Sequence, residues 1–447
     1  MISYDSEFIL SKVASWGDFS EVYEEESEGF VIELFNQNIE RCLQTKDKGV
    51  SLRTFKQEQV FFTATNYLPL EEIVKAHLKN INYGSMPFSF IEEKIYTENF
   101  EFNRNKDESI RLITSLAESI RAEVDNLINI NILFQRYKKN YAISNTEHKS
   151  TKSITVGERI FVNLTVKRAE DKASVYESIG YTFREITEDD IKAIFDNCKK
   201  RAAAQKIAKD GPSGIFPVII SASAGGTFIH EAVGHGLEAD LVDKGVSIYR
   251  GKIGEKVASD KITVVDSSIV PKSWGSFFCD DEGTAAHETM LIEKGFLKNY
   301  LYDKYYAFKH NVNSTGNGRR QSYNHKPYPR MTNTYIKPGE DNVFDIIKSI
   351  DKGIFVTKMG GGQVNTLTGD FIFEIQDGNM IENGEITYPL KNLSIIGNGP
   401  KVLNDIEAVG NDFGTAIGTC GKEGQGVPVG DGQPSLYIPA MTIGGKS

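Results

Sequence analysis

The sequence predicts an α+β protein with two domains, residues 1–210 and 211–447. The first should be an antiparallel sheet with helices, and the second a glycine-rich, mainly β domain that carries one short helix with two histidines. Three observations support this prediction. A chain of 447 residues exceeds what one hydrophobic core usually supports. Only six of the 40 glycines precede residue 211. The first half also mixes short β-prone segments with long helical patterns.

Composition and charge narrow the class of protein. The charged fraction of 25% and the apolar fraction of 40% are typical of a globular chain. A net charge of -10 argues against direct binding of nucleic acid, which needs a surplus of lysine and arginine. The N-terminus lacks the basic start and apolar core of a signal peptide, and no apolar run reaches about 18 residues. We therefore expect a cytoplasmic protein without a membrane partner.

The predicted N-terminal domain begins with an antiparallel meander. Residues 20–66 contain five short β-prone segments separated by turn residues. Helices are predicted over 69–81, which starts with proline, and over 107–124, where apolar residues recur at helical spacing. Further strands are predicted over 130–143 and 159–169. The pattern is that of a sheet covered by helices.

A linker and a glycine-rich second half follow. A basic helix is predicted over 187–210, and the "DGPSG" turn after it is the predicted linker. Residues 290–303 and 380–390 each place a Lys-Gly or Asn-Gly turn between apolar runs, which predicts two β-hairpins. Three long segments rich in glycine are predicted to be functional loops because they also hold many polar groups; these are 313–333, 358–370 and 418–434.

The stretch "SAGGTFIHEAVGHGLEAD", Ser223 to Asp240, contains the most informative motif. His230 and His235 are five positions apart, and Glu231 follows the first histidine. Five positions correspond to about 140° around an ideal α-helix, too far apart for two imidazoles to reach one ion. In the familiar zinc protease motif the histidines are four apart, about 40° around the helix. The motif therefore predicts a metal site only if the helix departs from regular geometry.

Glycines beside the histidines supply such a departure. Gly234 and Gly236 flank His235, and glycine commonly ends a helix. A terminating turn or a one-residue bulge at Gly234 would rotate His235 back toward His230, and π-bulges are frequent at functional sites. The alternative is that His230 is a core histidine and His235 a cation at a helix end. The flanking glycines favour the metal-binding interpretation.

A two-histidine zinc site needs at least one more protein ligand and leaves a position open for water. The candidates are Cys420, Cys279, His325, His310 and Glu238. Cys420 is favoured because it lies in a Gly-Thr-Cys-Gly segment that lets the backbone bring sulfur close to an ion. The alternative for Cys420 is a small residue in a tight turn. The four scattered cysteines make a disulfide framework improbable.

Several motifs together resemble the TldD branch of the TldD/PmbA metalloproteases, which are also known as modulators of DNA gyrase. The similarity is dense from about Ser221 to the C-terminus and is carried by "HEAVGHGLEAD", "DDEGT", "STGNGRR", "PRMTNTY", "MGGGQV", "TGDF", "IGNGP", "GTCGKEGQ" and "VPVGDGQP". The resemblance implies a zinc peptidase in which His230, His235 and Cys420 hold the metal and Glu231 is the catalytic base. It also implies pairing with a related subunit that lacks the metal motif.

The chemistry of these residue types is consistent with that resemblance. Zinc lowers the pKa of a bound water to about 7, and Glu231 can take its proton as hydroxide attacks a peptide carbonyl. A thiolate with two imidazoles suits Zn²⁺ better than magnesium or calcium. The side chains expected to bind substrate or the oxyanion are Arg319, Arg320, Tyr323 and His325.

Two other functions are compatible with the motif. The chain could be a non-catalytic zinc-containing binding protein that modulates a partner such as DNA gyrase, or a zinc amidohydrolase acting on small molecules. Three protein ligands next to a glutamate favour catalysis, because structural zinc usually has four protein ligands. Glycine-rich loops and open β edges favour an extended peptide substrate. We expect an enclosed site that is completed in a dimer, either a homodimer or a heterodimer with the related metal-lacking subunit.

Overall fold

The computed structural model describes residues 6–66, 69–79, 92–96, 100–147, 149–169 and 171–445. Within these ranges, one large sheet is built from strands that precede residue 183, and two more are built from strands that follow residue 208. The predicted α+β fold class is confirmed. The division at residue 210 stays a prediction.

The first sheet has seven strands in the order β3-β2-β1-β5-β6, with β4 and β7 both paired to β6. The strands are β1 (Phe19–Phe35), β2 (Asn38–Lys56), β3 (Gln59–Thr65), β4 (Glu92–Tyr96), β5 (Leu127–Asn145), β6 (Lys149–Lys167) and β7 (Lys172–Thr182). Four helices accompany them: α1 (Ser6–Val13), α2 (Leu70–Lys79), α3 (Lys106–Glu123) and α4 (Glu188–Ile207). Apolar side chains of β1, β5 and β6 pack against α3 and α4 in one buried cluster.

The predicted meander is present, but its five segments form three strands. Gly29, between two predicted segments, and Gly49, at the start of another, both lie inside the long strands β1 and β2. A side chain at Gly29 would meet the carbonyl oxygen of Arg136 at 2.3 Å, and one at Gly49 would overlap the ring of Tyr323. These glycines therefore permit close approach of neighbouring chain and do not end the strands.

Both long helices have the expected starts. Asn105 and Glu108 form a reciprocal capping box at α3, and Thr187 and Asp190 form one at α4. Helix α4 ends at Ile207, three residues earlier than predicted, because Lys209–Asp210 pair with another strand as β8. Among the described residues, no helix is both long and apolar enough to cross a membrane.

Strands of the second half form two large sheets and one small one. The strands that follow β8 are β9 (Gly214–Ile220), β10 (Val264–Ser267), β11 (Glu288–Glu293), β12 (Phe296–Leu297), β13 (Gly318–Arg319), β14 (Tyr328–Pro329), β15 (Asn333–Ile336), β16 (Lys352–Val364), β17 (Asp370–Glu382), β18 (Glu385–Lys391), β19 (Leu393–Asn398), β20 (Ala408–Val409), β21 (Gly414–Lys422), β22 (Gln425–Gln433) and β23 (Leu436–Gly444). The helices are α5 (Thr227–Ile229), α6 (Ala239–Asp243), α7 (Lys304–His310), α8 (Val343–Lys348) and α9 (Gly399–Asp405).

The eight-stranded sheet closes on itself. Its order is β16-β9-β23-β19-β17-β18-β8, with β20 paired to β23. An additional pairing between β16 and β17 completes a ring of five strands. The six-stranded sheet runs β12-β11-β10-β15-β22-β21, with β21 at its edge. Both predicted hairpins are confirmed, as β11–β12 and β17–β18. One large apolar core lies under these strands and under the segment that contains the two histidines.

Two of the three predicted loops are wrong in part. Residues 418–434 form most of the β21–β22 hairpin, whose turn places Glu423 and Gly424 at φ 51° and 72°. Residues 358–364 belong to β16. Glycine in these strands allows close packing against neighbouring backbone and side chains. The glycine content that predicted loops therefore reflects strands without bulky side chains. Residues 313–333 contain only the short strands β13 and β14 and the first residue of β15, and are otherwise loop.

A buried ionic network joins the first sheet to the second half of the chain. Arg53 lies between Glu21 and Glu282, with distances from Nη2 to the carboxylates of 2.8 and 2.5 Å. Arg320 donates to the other oxygen of Glu21 at 2.6 Å. All four side chains are buried. Removal of one partner would leave an unpaired buried charge, which typically costs roughly 3–5 kcal/mol.

Replacement of Glu282 tests how strongly this network joins the two halves. Glu282→Gln should lower the free energy of unfolding by about 3 kcal/mol, because Arg53 loses a charged partner in a buried site. Urea-induced unfolding followed by circular dichroism measures the change. The control, Glu123→Gln, removes the exposed pair with Lys199 and should cost less than about 1 kcal/mol. Equal effects of the two substitutions would show that the buried network does not stabilise the protein.

Candidate metal centre

The segment with the two histidines begins against the β21–β22 hairpin. Gly225 has φ 76°, a conformation that favours glycine. A side chain at Gly226 would lie 2.3 Å from the backbone nitrogen of Gly432 on β22. The N–H of His230 then donates to the carbonyl of Gly226 at 3.0 Å, an α-helical bond. The first turn is therefore a short α-helix pressed against the hairpin.

A π-turn follows over His230–Gly234. The N–H of His235 donates to the carbonyl of His230, which is the i to i+5 bond of a π-helix. This bond places His235 one wide turn above His230, with ring centroids 5.1 Å apart. A 3₁₀ turn over His235–Leu237 comes next. The predicted departure from regular helix geometry near Gly234 is confirmed, and it removes the difficulty of the five-residue spacing.

Gly234 is required because there is no room for a side chain at this position, and not because of its backbone angles. Its φ of -54° is ordinary for a helix. A Cβ atom there would lie 1.9 Å from the sulfur of Met331, which is fully buried. Any larger residue would push the π-turn or Met331 out of place.

Three ligand atoms converge at this turn. One atom each of His230, His235 and Cys420 lies within 4.8 Å of the others. The sulfur of Cys420 is 3.7 Å from Nε2 of His235. Tetrahedral zinc, with Zn–N of about 2.0–2.1 Å and Zn–S of about 2.3 Å, would separate these atoms by roughly 3.5 Å. The geometry therefore fits a zinc ion held by two imidazoles and one sulfur.

A carboxylate pairs with one ring nitrogen, Nδ1, of each imidazole. Nδ1 of His230 lies 2.7 Å from Oδ1 of Asp431, and Nδ1 of His235 lies 3.1 Å from Oε2 of Glu238. Such pairs fix the ring orientation of metal-binding histidines and leave Nε2 as the ligand atom. Glu238, a ligand candidate from the sequence, instead pairs with His235 and lies outside the convergent group of His230, His235 and Cys420.

Two cations support the same arrangement. Lys422 donates to Glu238 at 3.0 Å, to Asp240 at 2.5 Å and to the carbonyl of Pro329. Arg330 donates to the carbonyl of Cys420. The sequence interpretation missed Asp431, Lys422 and Arg330 as parts of the site. Asp431 and Lys422 had a usable signal, since both lie in the glycine-rich segment that contains Cys420.

The charges around the ligands favour a thiolate. Burial by itself raises the pKa of the Cys420 thiol, but hydrogen bonds and positive charge from His230 and His235 lower that pKa to about 5. For Glu238, burial raises the carboxyl pKa, but Lys422 and His235 lower it to about 2. Both groups are therefore negatively charged at neutral pH while the two imidazoles are protonated, and a divalent cation bound here would replace those protons.

Glu231 faces an open cavity beside the ligands. The cavity has a volume of about 420 Å³ and is also lined by His235, Glu238, Lys422 and Glu423. Glu231 is half-buried and makes no hydrogen bond or ion pair with the described part of the chain. Its carboxylate is therefore available to accept a proton, whereas that of Glu238 already bonds His235 and Lys422.

The other candidate ligands are engaged elsewhere. Nε2 of His310 lies 3.2 Å from Asp243, and Nδ1 of His325 lies 2.9 Å from Ser322. Cys279 is buried, and its carbonyl accepts a hydrogen bond from Tyr141. None of these three belongs to the convergent ligand group found among the described residues.

The four residues predicted to bind substrate do not line the cavity beside Glu231. Arg320 is buried in the ionic network with Glu21. Tyr323 covers Gly49 and donates to Asp47 at 3.2 Å, so both residues contact the first sheet. Arg319 lines a separate cavity between the sheet and the second half, and His325 bonds Ser322. Their role in substrate binding stays a prediction.

Family models match both halves of the chain. The model described as PmbA/TldA metallopeptidase C-terminal domain matches residues 213–445, and that described as PmbA/TldA metallopeptidase domain 1 matches residues 20–77.

Relatives extend the match across most of the chain. A metalloprotease TldD homolog of Buchnera aphidicola is 34% identical over 436 residues, covering 92% of this chain and 89% of the relative. A zinc metalloprotease TldD homolog of Saccharolobus solfataricus is 30% identical over 413 residues, covering 89% and 90%.

Two solved structures share the fold. A Thermotoga maritima protein named as a modulator of a DNA gyrase superposes with a TM-score of 0.80 at 22% identity, covering 98% of both chains. TldE from Thermococcus kodakarensis superposes with a TM-score of 0.76 at 17% identity, covering 98% and 99%.

Substitution of Gly234 tests the packing of the π-turn. Gly234→Ala should weaken zinc binding by about tenfold or more, because overpacking typically costs about 1–3 kcal/mol and displaces His235. Competition with a chromophoric chelator measures the affinity, and circular dichroism checks folding. Gly361→Ala is the control, since a side chain there meets nothing within 4 Å. Unchanged zinc affinity in Gly234→Ala would contradict the role given to this glycine.

Proposed function

The chain belongs to the PmbA/TldD metallopeptidase family and is a metalloprotease, and on that premise we propose that it hydrolyses extended peptides with the help of zinc. His230, His235 and Cys420 are the proposed zinc ligands. Glu231 is the proposed general base. The convergence of the three ligand atoms beside Glu231 is the observation that carries the proposal.

The donor set supports zinc. Two imidazoles and a sulfur with a lowered thiol pKa form a mixed nitrogen and sulfur site, which suits zinc and excludes hard cations such as magnesium. Three protein ligands leave one position for water or substrate, as in catalytic zinc sites. When bound, zinc would supply Lewis-acid chemistry that acidifies water near neutral pH and polarises a carbonyl.

Glu231 would move the proton. It directly follows His230 in the chain and lines the cavity that also contains His235. Its carboxylate can accept a proton from the attacking water and return it to the leaving amine. Asp431 and Glu238 would hold the imidazoles in the correct tautomer throughout.

The strand that carries Cys420 supports an extended substrate. Strand β21 is the edge of its sheet and pairs with β22 on one side, within the described residues. A peptide added to the free side would run beside Cys420 with its backbone hydrogen-bonded to β21. Recognition through the backbone requires an unfolded segment and depends little on side chains.

A dimer is proposed to enclose this site. In β2, residues Asn38–Lys48 are exposed, and strand β3 pairs only with the later part from Val50 onward. Leu43 is half exposed on this segment. Such an open edge favours pairing with a second subunit, either a copy or a related chain that lacks the metal motif. Cytoplasmic localisation stays a prediction.

Modulation of DNA gyrase is the alternative function. It is supported by the name of the Thermotoga structure, whose similarity shows the fold. The two functions differ in whether the metal centre is needed for turnover of peptide bonds. The availability of Glu231 beside a three-ligand site favours the peptidase.

Replacement of Glu231 tests the catalytic proposal. Glu231→Gln should lower kcat/KM for a disordered peptide by at least about 100-fold, because it cannot accept the proton, while zinc stays bound. His235→Ala and Cys420→Ala should lose both zinc and activity. Metal analysis and peptide cleavage, with and without a chelator, measure the two properties. Glu423→Gln, on the rim of the same cavity, is the control and should retain most activity. Near-normal turnover by Glu231→Gln would require another base.

Substrate folding tests the enclosed site. A disordered peptide should be cleaved, whereas the same segment inside a tightly folded domain should be spared, because only an extended chain can pair with β21. Cleavage is followed by mass spectrometry, and the enzyme's solution mass is measured by light scattering. Equal cleavage of both substrates by a monomer would contradict the proposal.

A further inference from the structure

A second cavity lies between the first sheet and the C-terminal half. This interdomain cavity has a volume of about 570 Å³ and contacts β1, β2, β5 and β6 on one side. On the other side it is lined by residues around Trp274, by the segment that contains Arg319, and by the β21–β22 hairpin. Its size is within the range of pockets for small ligands.

Arg319 brings to this cavity a buried charge that has no carboxylate within ion-pair distance among the described residues, although Asp281 and Asp266 lie near enough to raise its pKa, against the larger lowering by burial. The residue is only 6% exposed. Of its five N–H donors, the structure uses one, from Nη1 to the carbonyl of Met331 at 2.6 Å. Among the described residues no carboxylate forms an ion pair with it. A buried guanidinium without a paired anion is costly, so this position favours a bound anion.

Arg159 reinforces the same positive region. Its hydrogen bonds go to neutral groups, from Nε to Gln135 at 2.8 Å and from Nη1 to Thr419 at 2.7 Å. Tyr137 also lines the cavity, and burial raises the pKa of its hydroxyl to about 12 while the charges of both arginines oppose that rise. The Tyr137 hydroxyl is thus a further hydrogen-bond donor at the cavity.

Other cations at the cavity already have acidic partners. Lys139 pairs with Asp281 at 2.8 Å, and Arg320 pairs with Glu21. Asp281 is also bonded by the backbone N–H of Arg320 at 2.8 Å. Neither Arg159 nor Arg319 has such a partner among the described residues, so these two are the groups left to bind an anion.

Acidic side chains of the first sheet also line the cavity. Glu25 is 5% exposed and accepts a hydrogen bond from Tyr23 at 3.0 Å. Glu28 and Asp47 line the same cavity and are exposed. A ligand that carries both a carboxylate and an ammonium would match the two arginines and these acidic side chains, whereas inorganic phosphate would match the arginines alone.

We propose that the interdomain cavity binds a short peptide by its free C-terminal carboxylate, held by Arg159 and Arg319. Planar guanidinium groups suit a carboxylate because they can donate two parallel hydrogen bonds. The inference rests on the proposed function, since peptide hydrolysis produces new C-terminal carboxylates.

The site is separate from the metal centre. Arg159 bonds Thr419, whose neighbour Cys420 points to the opposite face of β21 because side chains alternate along a strand. Arg319 donates a hydrogen bond to the carbonyl of Met331, and the side chain of Met331 packs against Gly234 in the π-turn. The bound carboxylate would therefore lie on the opposite face of β21 from Cys420, away from the proposed metal ligands.

Tripeptide binding tests the proposal without cleavage. The probes are trialanine and its C-terminal amide, titrated into zinc-loaded Glu231→Gln protein by calorimetry. The amide should bind at least about tenfold more weakly, because it lacks the charge for the two arginines. Trp274 lines the cavity and is one of two tryptophans in the chain, so Trp16→Phe makes its fluorescence a local report of occupancy.

Substitutions locate the binding. In Arg159→Gln and in Arg319→Gln, trialanine should bind as weakly as the amide, and amidation should have no further effect. Arg111→Gln, on the exposed face of α3, is the control and should behave as the parent protein. The amidation comparison needs no substitution, so it remains valid even if an arginine variant fails to fold.

Two further titrations distinguish the interdomain cavity from the metal centre and a peptide from a small acid. A carboxylate can also bind zinc, so the titration is repeated on chelator-treated protein, where binding to the interdomain cavity should persist. Acetate tests whether a small acid is the occupant. Three outcomes would each overturn the proposal. Acetate could bind as tightly as trialanine, trialanine and its amide could bind equally, or binding of trialanine could be lost when zinc is removed. Absence of peptide cleavage with persistent carboxylate-dependent binding would refute the peptidase function and leave this site in place.

Discussion

The close approach of the histidine segment to its neighbours is the constraint on which the candidate metal centre depends. At Gly226 the chain touches the backbone of β22, and at Gly234 it touches the sulfur of Met331. No side chain fits at either end. Between these contacts the backbone changes from an α-turn to a π-turn, and that change brings His235 over His230. The same hairpin carries Cys420, whose sulfur lies 3.7 Å from Nε2 of His235.

Charge is balanced around the ligands by groups from several segments. Asp431 reaches His230 from the hairpin strand opposite Cys420, and Glu238 reaches His235 from the turn that follows it. Lys422 then neutralises Glu238 from the end of β21. Each imidazole is thus oriented by a carboxylate, and Lys422 holds one of these carboxylates, Glu238, in place. Buried carboxylates near a metal would otherwise be free to rotate or to take up protons.

The two halves of the chain are held together by polar contacts that could not be predicted from the sequence. Arg320 and Tyr323 lie in a glycine-rich segment whose composition is typical of a ligand-binding loop. In the folded protein Arg320 completes a buried ionic network with Glu21, and Tyr323 occupies the space left by Gly49. The sequence does not distinguish a buried structural arginine from a ligand-binding arginine in a loop. Only the acidic partner, which is distant in the sequence, distinguishes them.

The sequence by itself determined the α+β class and predicted the residues that converge as candidate ligands. It did so because local chemistry carries that information: two histidines, an adjacent glutamate, flanking glycines and a cysteine in a narrow segment. Only the tertiary structure decided which groups orient those ligands. Asp431 is 201 positions from His230, and no local pattern links two side chains that meet through strand pairing. The same holds for the glycine-rich segments, since a glycine needed for close packing and a glycine in a loop differ only in what lies beside them.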